Sequence, residues 1–201
     1  MRLTLLSTVC AIGIFSAGTV AAHDNDRREK LKGEYGFTGS ADCIVSGAGF
    51  TPDFRAMDGP NSASVSFAVI GIRKFNGDGT GSVKGTSLAI TPRPTQNNTS
   101  PVAAGSVEFK FKFTYTVDGD GGWTSAMVPG TYQANHVTGP RTGQTSTVDV
   151  IPPVVGMIAN GEKTLIAAHP APEVERHFFV NEVEHRVCHR CKRGLAAALR
   201  S

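Results

Sequence analysis

The sequence predicts an all-β protein: a single antiparallel β-barrel of about eight strands with a short irregular or helical C-terminal tail. Three observations predict it. Apolar and polar residues alternate with period 2 through most of the chain. Gly-rich turns separate the alternating runs, with 23 glycines and 11 prolines among 201 residues. No segment before Glu173 shows a convincing helical period. Closure follows from strand length, because long strands in an open sheet leave exposed edges. A barrel of about eight strands is just wide enough for a packed interior or one small ligand.

The first strand starts at Gly33 and places Tyr35, Phe37, Ala41, Cys43 and Val45 on one face, with a bend expected at Gly39. The second places Val65, Phe67 and Val69 on one face. Its pattern slips at Gly71 and resumes at Ile72 and Phe75, which predicts a bulge. Val83 to Ile90 reads as the return strand, ended by Pro92 and Pro94, and Thr95 to Pro101 as a polar loop. The clearest strand runs from Val107 to Val117. Val107, Phe109, Phe111, Phe113, Tyr115 and Val117 share a packed face, and Glu108, Lys110, Lys112, Thr114 and Thr116 a wet one. Trp123 to Val128, Gly130 to Val137, Ser146 to Ile151, Val154 to Ala159, Lys163 to Ala168 and Arg176 to Val187 complete the set. "ANGEKT" (Ala159 to Thr164) supplies an Asn-Gly hairpin signal.

Composition narrows the function classes. Hydrophobic residues make up 40% of the chain and charged residues 18%, enough to bury a core, and the length fits one domain with tails. A formal net charge of +3 is too small to argue for nucleic acid. Residues 1–22 read as a signal peptide. Arg2 gives a positive start, Leu3 to Ala17 an apolar stretch, and Val20-Ala21-Ala22 the small residues before a cut. Cys10 sits too early, after Val9, for lipoprotein processing. The expected location is therefore periplasmic or extracellular, with no stable membrane span in the mature protein. Residues 23–32 read as a flexible charged leader, 33–187 as the barrel domain and 188–201 as a basic tail. Cleavage leaves Cys43, Cys188 and Cys191, an odd number in an oxidising compartment, so at most one intrachain disulfide forms.

Two turn motifs raise the question of a metal. In "FNGDGTGSVKG" (Phe75 to Gly85), Asn76, Asp78 and Thr80 occupy the first, third and fifth positions of an EF-hand-like loop, with Gly81 at the sixth. The bidentate Glu needed at the twelfth is Ser87, and the flanks are strands. "VDGDGGW" (Val117 to Trp123) repeats the theme with more glycine. Hairpin turns are the expectation, a weak metal loop the alternative.

The same stretches carry a resemblance. "GEYGFTGSADCIVS", "SFAVIGIRKFNGDGTGSVKGTSLAI", "VDGDGGWTSAMVPGTYQ" and "MIANGEKTLI" resemble a group of small secreted bacterial proteins over Gly33 to about His169. In that group a G-x-Y-x-F strand precedes an F-x-G-D-G-T-G hairpin and a later G-T-Y strand. The resemblance implies a lipocalin-like (calycin-type) barrel. It passes on no catalytic residue and no cofactor.

The C-terminus concentrates reactive groups in "EHRVCHRCKRG" (Glu184 to Gly194). Cys188 and Cys191 form a C-x-x-C. Lys192 stands where a haem-attachment motif has His, and no second ligand pair supports zinc. A redox dithiol would gain from Arg190 and Lys192 but lacks its usual βαβ setting. The leading reading is a basic tail with one cysteine bridged to Cys43 or paired locally. His136, His169 and His177 are scattered and form no hydrolase order. Glu173, Glu175, Glu182 and Glu184 fall on one strand face and read as solvated. Asn97 and Asn98 lie in glycosylation sequons, relevant only in a eukaryotic secretory pathway.

The residues therefore point to a barrel with no cofactor, whose motifs name no catalytic residue, and which binds a small apolar ligand or simply packs its interior. Tyr35, Phe37, Phe67, Phe109, Phe111, Phe113, Tyr115 and Trp123 are the candidate lining. The alternatives are an envelope interaction protein using the tail from Arg186 to Arg200, and a calycin-type enzyme that rearranges lipids. Oligomeric state is not legible.

Overall fold

The computed structural model describes residues 31–59, 62–91, 103–159, 164–180, 182–189 and 196–197. Their strands are β1 (Lys32–Ser46), β2 (Ala63–Asn76), β3 (Thr80–Thr91), β4 (Ala103–Val117), β5 (Gly122–Met127), β6 (Gln133–Thr138), β7 (Thr145–Val148), β8 (Val154–Ala159), β9 (Thr164–Ala168), β10 (Val174–Phe178), β11 (Val183–His189) and β12 (Ala196–Ala197). Every pairing is antiparallel. Among the described residues no helix is long and apolar enough to cross a membrane.

Eight strands close a ring in the order β4-β3-β2-β1-β11-β10-β7-β6, and β6 pairs back onto β4. Strand β4 serves two neighbours. Ser106 to Lys110 pair with β6, and Phe113 to Val117 pair with β5. Strands β5, β8, β9 and β12 continue the sheet outside the ring. The four long strands β1 to β4 thus run through two differently closed halves.

The alternation that predicted β2 never breaks. Its residues pair with β1 one for one from Asn76↔Lys32 to Ala63↔Val45. They pair with β3 equally regularly from Phe75↔Gly81 to Ser66↔Ile90. The bulge expected at Gly71 is absent. The inward face carries glycine at 71 and arginine at 73, which imitates a slip in an apolar pattern. The irregularity that does occur lies in β4 opposite β6, between Ser106 and Val107.

Three boundaries also move. Leu31 is fully buried and Lys32 pairs with Asn76, so the last two residues of the expected leader belong to the barrel. The single strand expected over Arg176 to Val187 is the hairpin β10-β11, because the chain reverses where the Phe179 N–H donates to the Glu182 carbonyl at 2.9 Å. Strand β11 runs on through Cys188 to His189, and Ala196–Ala197 pair with β9.

Both acidic motifs are hairpin turns. Gly77 and Gly79 adopt φ values of 88° and 87°, which side-chain-bearing residues disfavour. Asp78 Oδ1 accepts from the Thr80 backbone at 2.8 Å and from its hydroxyl at 2.6 Å. Asp118 Oδ1 accepts from the Asp120 and Gly122 backbones at 3.0 and 2.7 Å. These carboxylates organise their own turns in the manner of Asx-turns.

The core lies beside β5, β8 and β9. Phe75 is its hub, meeting Tyr35, Phe113, Tyr115 and Trp123 edge-on at centroid distances of 5.4, 5.2, 4.9 and 5.8 Å. The Tyr115 hydroxyl donates to the Leu31 carbonyl at 2.8 Å, which satisfies it in a buried position. Four aromatic rings each cover a glycine directly across the ladder: Phe37 on Gly71, Phe109 on Gly85, Phe113 on Gly81 and Trp123 on Gly156. A missing side chain on one strand makes room for a ring from the next, and this pins the register.

Candidate ligand-binding cavity

Past Phe75 the ring is hollow. A cavity of about 450 Å³ runs between β1 to β4 on one side and β6, β7, β10 and β11 on the other. That volume falls within the range of small-molecule sites. Phe37, Phe67, Val69, Val107, Phe109 and Phe111 form its apolar wall. Each sits on an inward period-2 position.

The expected lining residues divide into two groups. Phe37, Phe67, Phe109 and Phe111 border the cavity, and Phe113 lies at its boundary, lining the space while it packs edge-on against Phe75. Tyr35, Tyr115 and Trp123, each 3% exposed, belong instead to the packed cluster around Phe75. Parity places all eight inward, but only the closure of the ring decides which meet space and which meet Phe75.

Cys43 and Cys188 face each other across β1 and β11 and form a disulfide. Cys188 is therefore not half of a dithiol with Cys191, which lies outside the described residues. The tail beyond His189, apart from Ala196–Ala197, and the sequons at Asn97 and Asn98 lie outside them too.

Polar groups gather on the cavity wall where β1 ends and β11 begins. Glu184 sits between two guanidinium groups. Arg186 Nε donates to its Oε1 at 2.5 Å, and Arg141 Nη1 and Nη2 donate to its Oε2 at 3.1 Å each. Arg141 also pairs with Glu182 and stacks 3.9 Å over the Phe179 ring. Burial pushes the Glu184 carboxyl up, but Arg186 and Arg141 outweigh it and hold it below its ordinary value. Glu175, 2% exposed, accepts from His177 Nε2 at 3.2 Å. Burial and then the Arg186 charge lower the His177 pKa against the pull of Glu175, so the imidazole stays neutral near pH 7. His136 Nε2 lies 3.2 Å from Ser146 Oγ, and burial followed by Arg141 lowers its pKa as well. Of the four glutamates read as a solvated face, Glu182 is exposed and Glu173 half-buried, whereas Glu175 and Glu184 turn inward where β10 and β11 close the ring.

These contacts do not assemble a hydrolytic relay. His136 bonds Ser146, whereas Glu175 bonds His177. Among the described residues no group of three or more His, Cys, Asp and Glu side chains converges as metal ligands would.

A separate charge lies at the opposite end of the cavity. Arg73, on the inward face of β2, extends between Phe113 and Trp123 at 4.9 and 5.3 Å from the ring centroids and donates from Nη1 to Ser125 Oγ at 3.0 Å. As a residue it is only partly covered, because it forms cavity wall. Its guanidinium is desolvated, which lowers its pKa to about 10. Among the described residues no carboxylate lies within 4.0 Å of it. Sequence reasoning missed Arg73 and Ser125. The signal was present: residue 73 shares the parity of Val69 and Phe75.

No family model matches the chain, and neither a curated protein nor a solved structure matches it.

Proposed function

We propose that this is a secreted or periplasmic, lipocalin-like barrel that binds one small, largely apolar ligand in its interior. The observation that carries the reading is the 450 Å³ space walled by Phe37, Phe67, Phe109 and Phe111, in a ring whose other half is tightly packed. A barrel stabilised by filling alone would gain by closing that space, since empty apolar volume costs stability. The cross-strand disulfide Cys43–Cys188 supports an oxidising compartment. Native mass spectrometry of protein from its own cells, paired with competitive displacement of a lipophilic dye, tests the reading. A retained small molecule and saturable dye binding are expected. A bare mass together with no dye binding removes the basis for a carrier.

A second reading is a lipid-isomerase-like enzyme of the calycin type. It is favoured by the buried His177–Glu175 pair and the half-buried His136–Ser146 pair on the wall of an apolar cavity. Turnover of a reactive unsaturated lipid that is lost in His177→Gln, with dye affinity intact, supports it over simple carriage.

A further inference from the structure

We propose that the ligand is an amphiphile with a carboxylate head, and that Arg73 and Ser125 receive that head at the inner end of the cavity. The inference rests on the carrier reading above and specifies its ligand class.

Two polar regions face the cavity, and they differ in how they are satisfied. At one end the Glu184 carboxylate has two counter-charges, Arg186 and Arg141. The neutral His177 has Glu175. At the other end Arg73 stands alone. A guanidinium carries five N–H donors. Among the described residues, one hydrogen bond uses them, the 3.0 Å contact from Nη1 to Ser125 Oγ. The rings of Phe113 and Trp123 stabilise the cation from its flanks but take up no N–H along the donor plane. A buried cation without a counter-ion is unfavourable unless something completes it.

The surroundings restrict what can complete it. Phe75, Tyr35 and Tyr115 are packed nearby and buried, so an anion must come from the cavity side. Val83 and Phe111, level with Arg73 on the next two strands, are apolar and add no second cation to the head. One guanidinium fits the single charge and planar two-oxygen edge of a carboxylate, which it binds as a fork. Ser125 Oγ accepts from Arg73 through a lone pair and keeps its own O–H to donate to the same anion. The ligand's apolar body then lies along Phe37, Phe67, Phe109 and Phe111.

Fluorescence titration of the full-length chain with a polyene fatty acid, and with the alcohol of the same chain, tests this. The wild type is expected to bind the acid more tightly than the alcohol by on the order of tenfold or more, the scale of a charge-assisted pair. Arg73→Met keeps the length and removes the charge, and should bind both probes alike with its melting temperature maintained or raised. Should Arg73→Met not fold, Ser125→Ala provides the second arm and should narrow the preference severalfold. Equal binding of acid and alcohol by the wild type overturns this inference and leaves the carrier reading standing. An acid preference that survives Arg73→Met, or survives Ser125→Ala where the first variant does not fold, also overturns it. Binding of neither probe overturns the carrier reading and this inference with it.

Discussion

The same four strands behave differently at their two ends. Toward β5, β8 and β9, the inward positions of β1 to β4 carry Tyr35, Phe75, Val83, Phe113, Tyr115 and Val117, which close around Phe75 and leave each 3% exposed or less. Toward β6, β7, β10 and β11, the inward positions carry Val65, Val69, Ser87, Ala89 and Gly105 among the phenylalanines, and they surround a cavity. Strand geometry and parity are identical. Side-chain volume and the placement of charge set the difference. One half holds the fold, and the other is left open at a cost in packing that a ligand can offset.

The largest test of this division is Phe75→Ala. Removing the hub of the aromatic cluster should cost about 3–5 kcal/mol in denaturant unfolding, within the range for buried phenylalanine. Phe67→Ala, on the cavity wall, should cost clearly less, because it enlarges an existing space. Equal losses at the two sites would erase the distinction.

Next in size is the disulfide. It joins strands 145 residues apart in sequence. Replacing Cys43 and Cys188 with alanine should lower stability by about 2–5 kcal/mol, mainly by freeing the unfolded chain. The effect should fall on the hollow half first, where β1 meets β11. Hydrogen exchange that opens β10 and β11 before β5 and β8 would confirm this, and uniform opening would count against it.

A glycine test comes third. A Cβ at residue 85 would lie 2.9 Å from the Phe109 ring and 2.6 Å from the Ile70 carbonyl. Gly85→Ala should therefore cost about 1–3 kcal/mol through forced displacement of the ring or backbone. The paired variant Gly85→Ala with Phe109→Leu should recover part of that loss. Failure to recover would locate the strain in the backbone instead.

The smallest effect is the pH dependence of the hollow half. Glu184, His177 and His136 all have folded pKa values lowered from the ordinary ones of 4.5 for Glu and 6.5 for His. A lowered folded pKa means that the unfolded chain binds the proton more readily. The stability is present in full above the unfolded pKa and is lost as pH falls through the folded one. Stability should thus decline below pH 6.5 as the histidines begin to titrate, and decline again below 4.5 through Glu184. His177→Gln should flatten the first decline. An unchanged slope would show that His177 is not held neutral by the fold.

Much of this fold was legible in the sequence, for identifiable reasons. Val107 to Val117 alternates without exception because one face of β4 packs and the other meets water. The turns at Asp78 and Asp118 were legible because glycines beside a carboxylate, set between two alternating runs and without the twelfth-position Glu of a metal loop, are the residues a tight hairpin turn needs. The ring and the inward parity of the phenylalanines followed from these local signals. The site was legible in its apolar part alone. Tyr35, Tyr115 and Trp123 have the same parity as Phe37 and Phe109, and local pattern does not tell a filled level from an empty one. Glu175 and Glu184 were read as solvated because their spacing on a strand suits either face. They turn inward through the pairings of β10 with β7 and of β11 with β1, which join residues far apart in the chain. Arg73 was obscured by its own chemistry, since an arginine on an apolar face reads as a break in the pattern.

Val69→Trp measures the division at its centre, with thermal unfolding and lipophilic-dye affinity recorded on the same samples. Val69 lines the cavity. If the space exists to be occupied, the indole fills it: dye affinity should fall by about tenfold or more while stability holds or rises slightly. Dye affinity unchanged, or a stability loss of about 1–3 kcal/mol typical of overpacking a full core, would contradict a hollow, ligand-binding half.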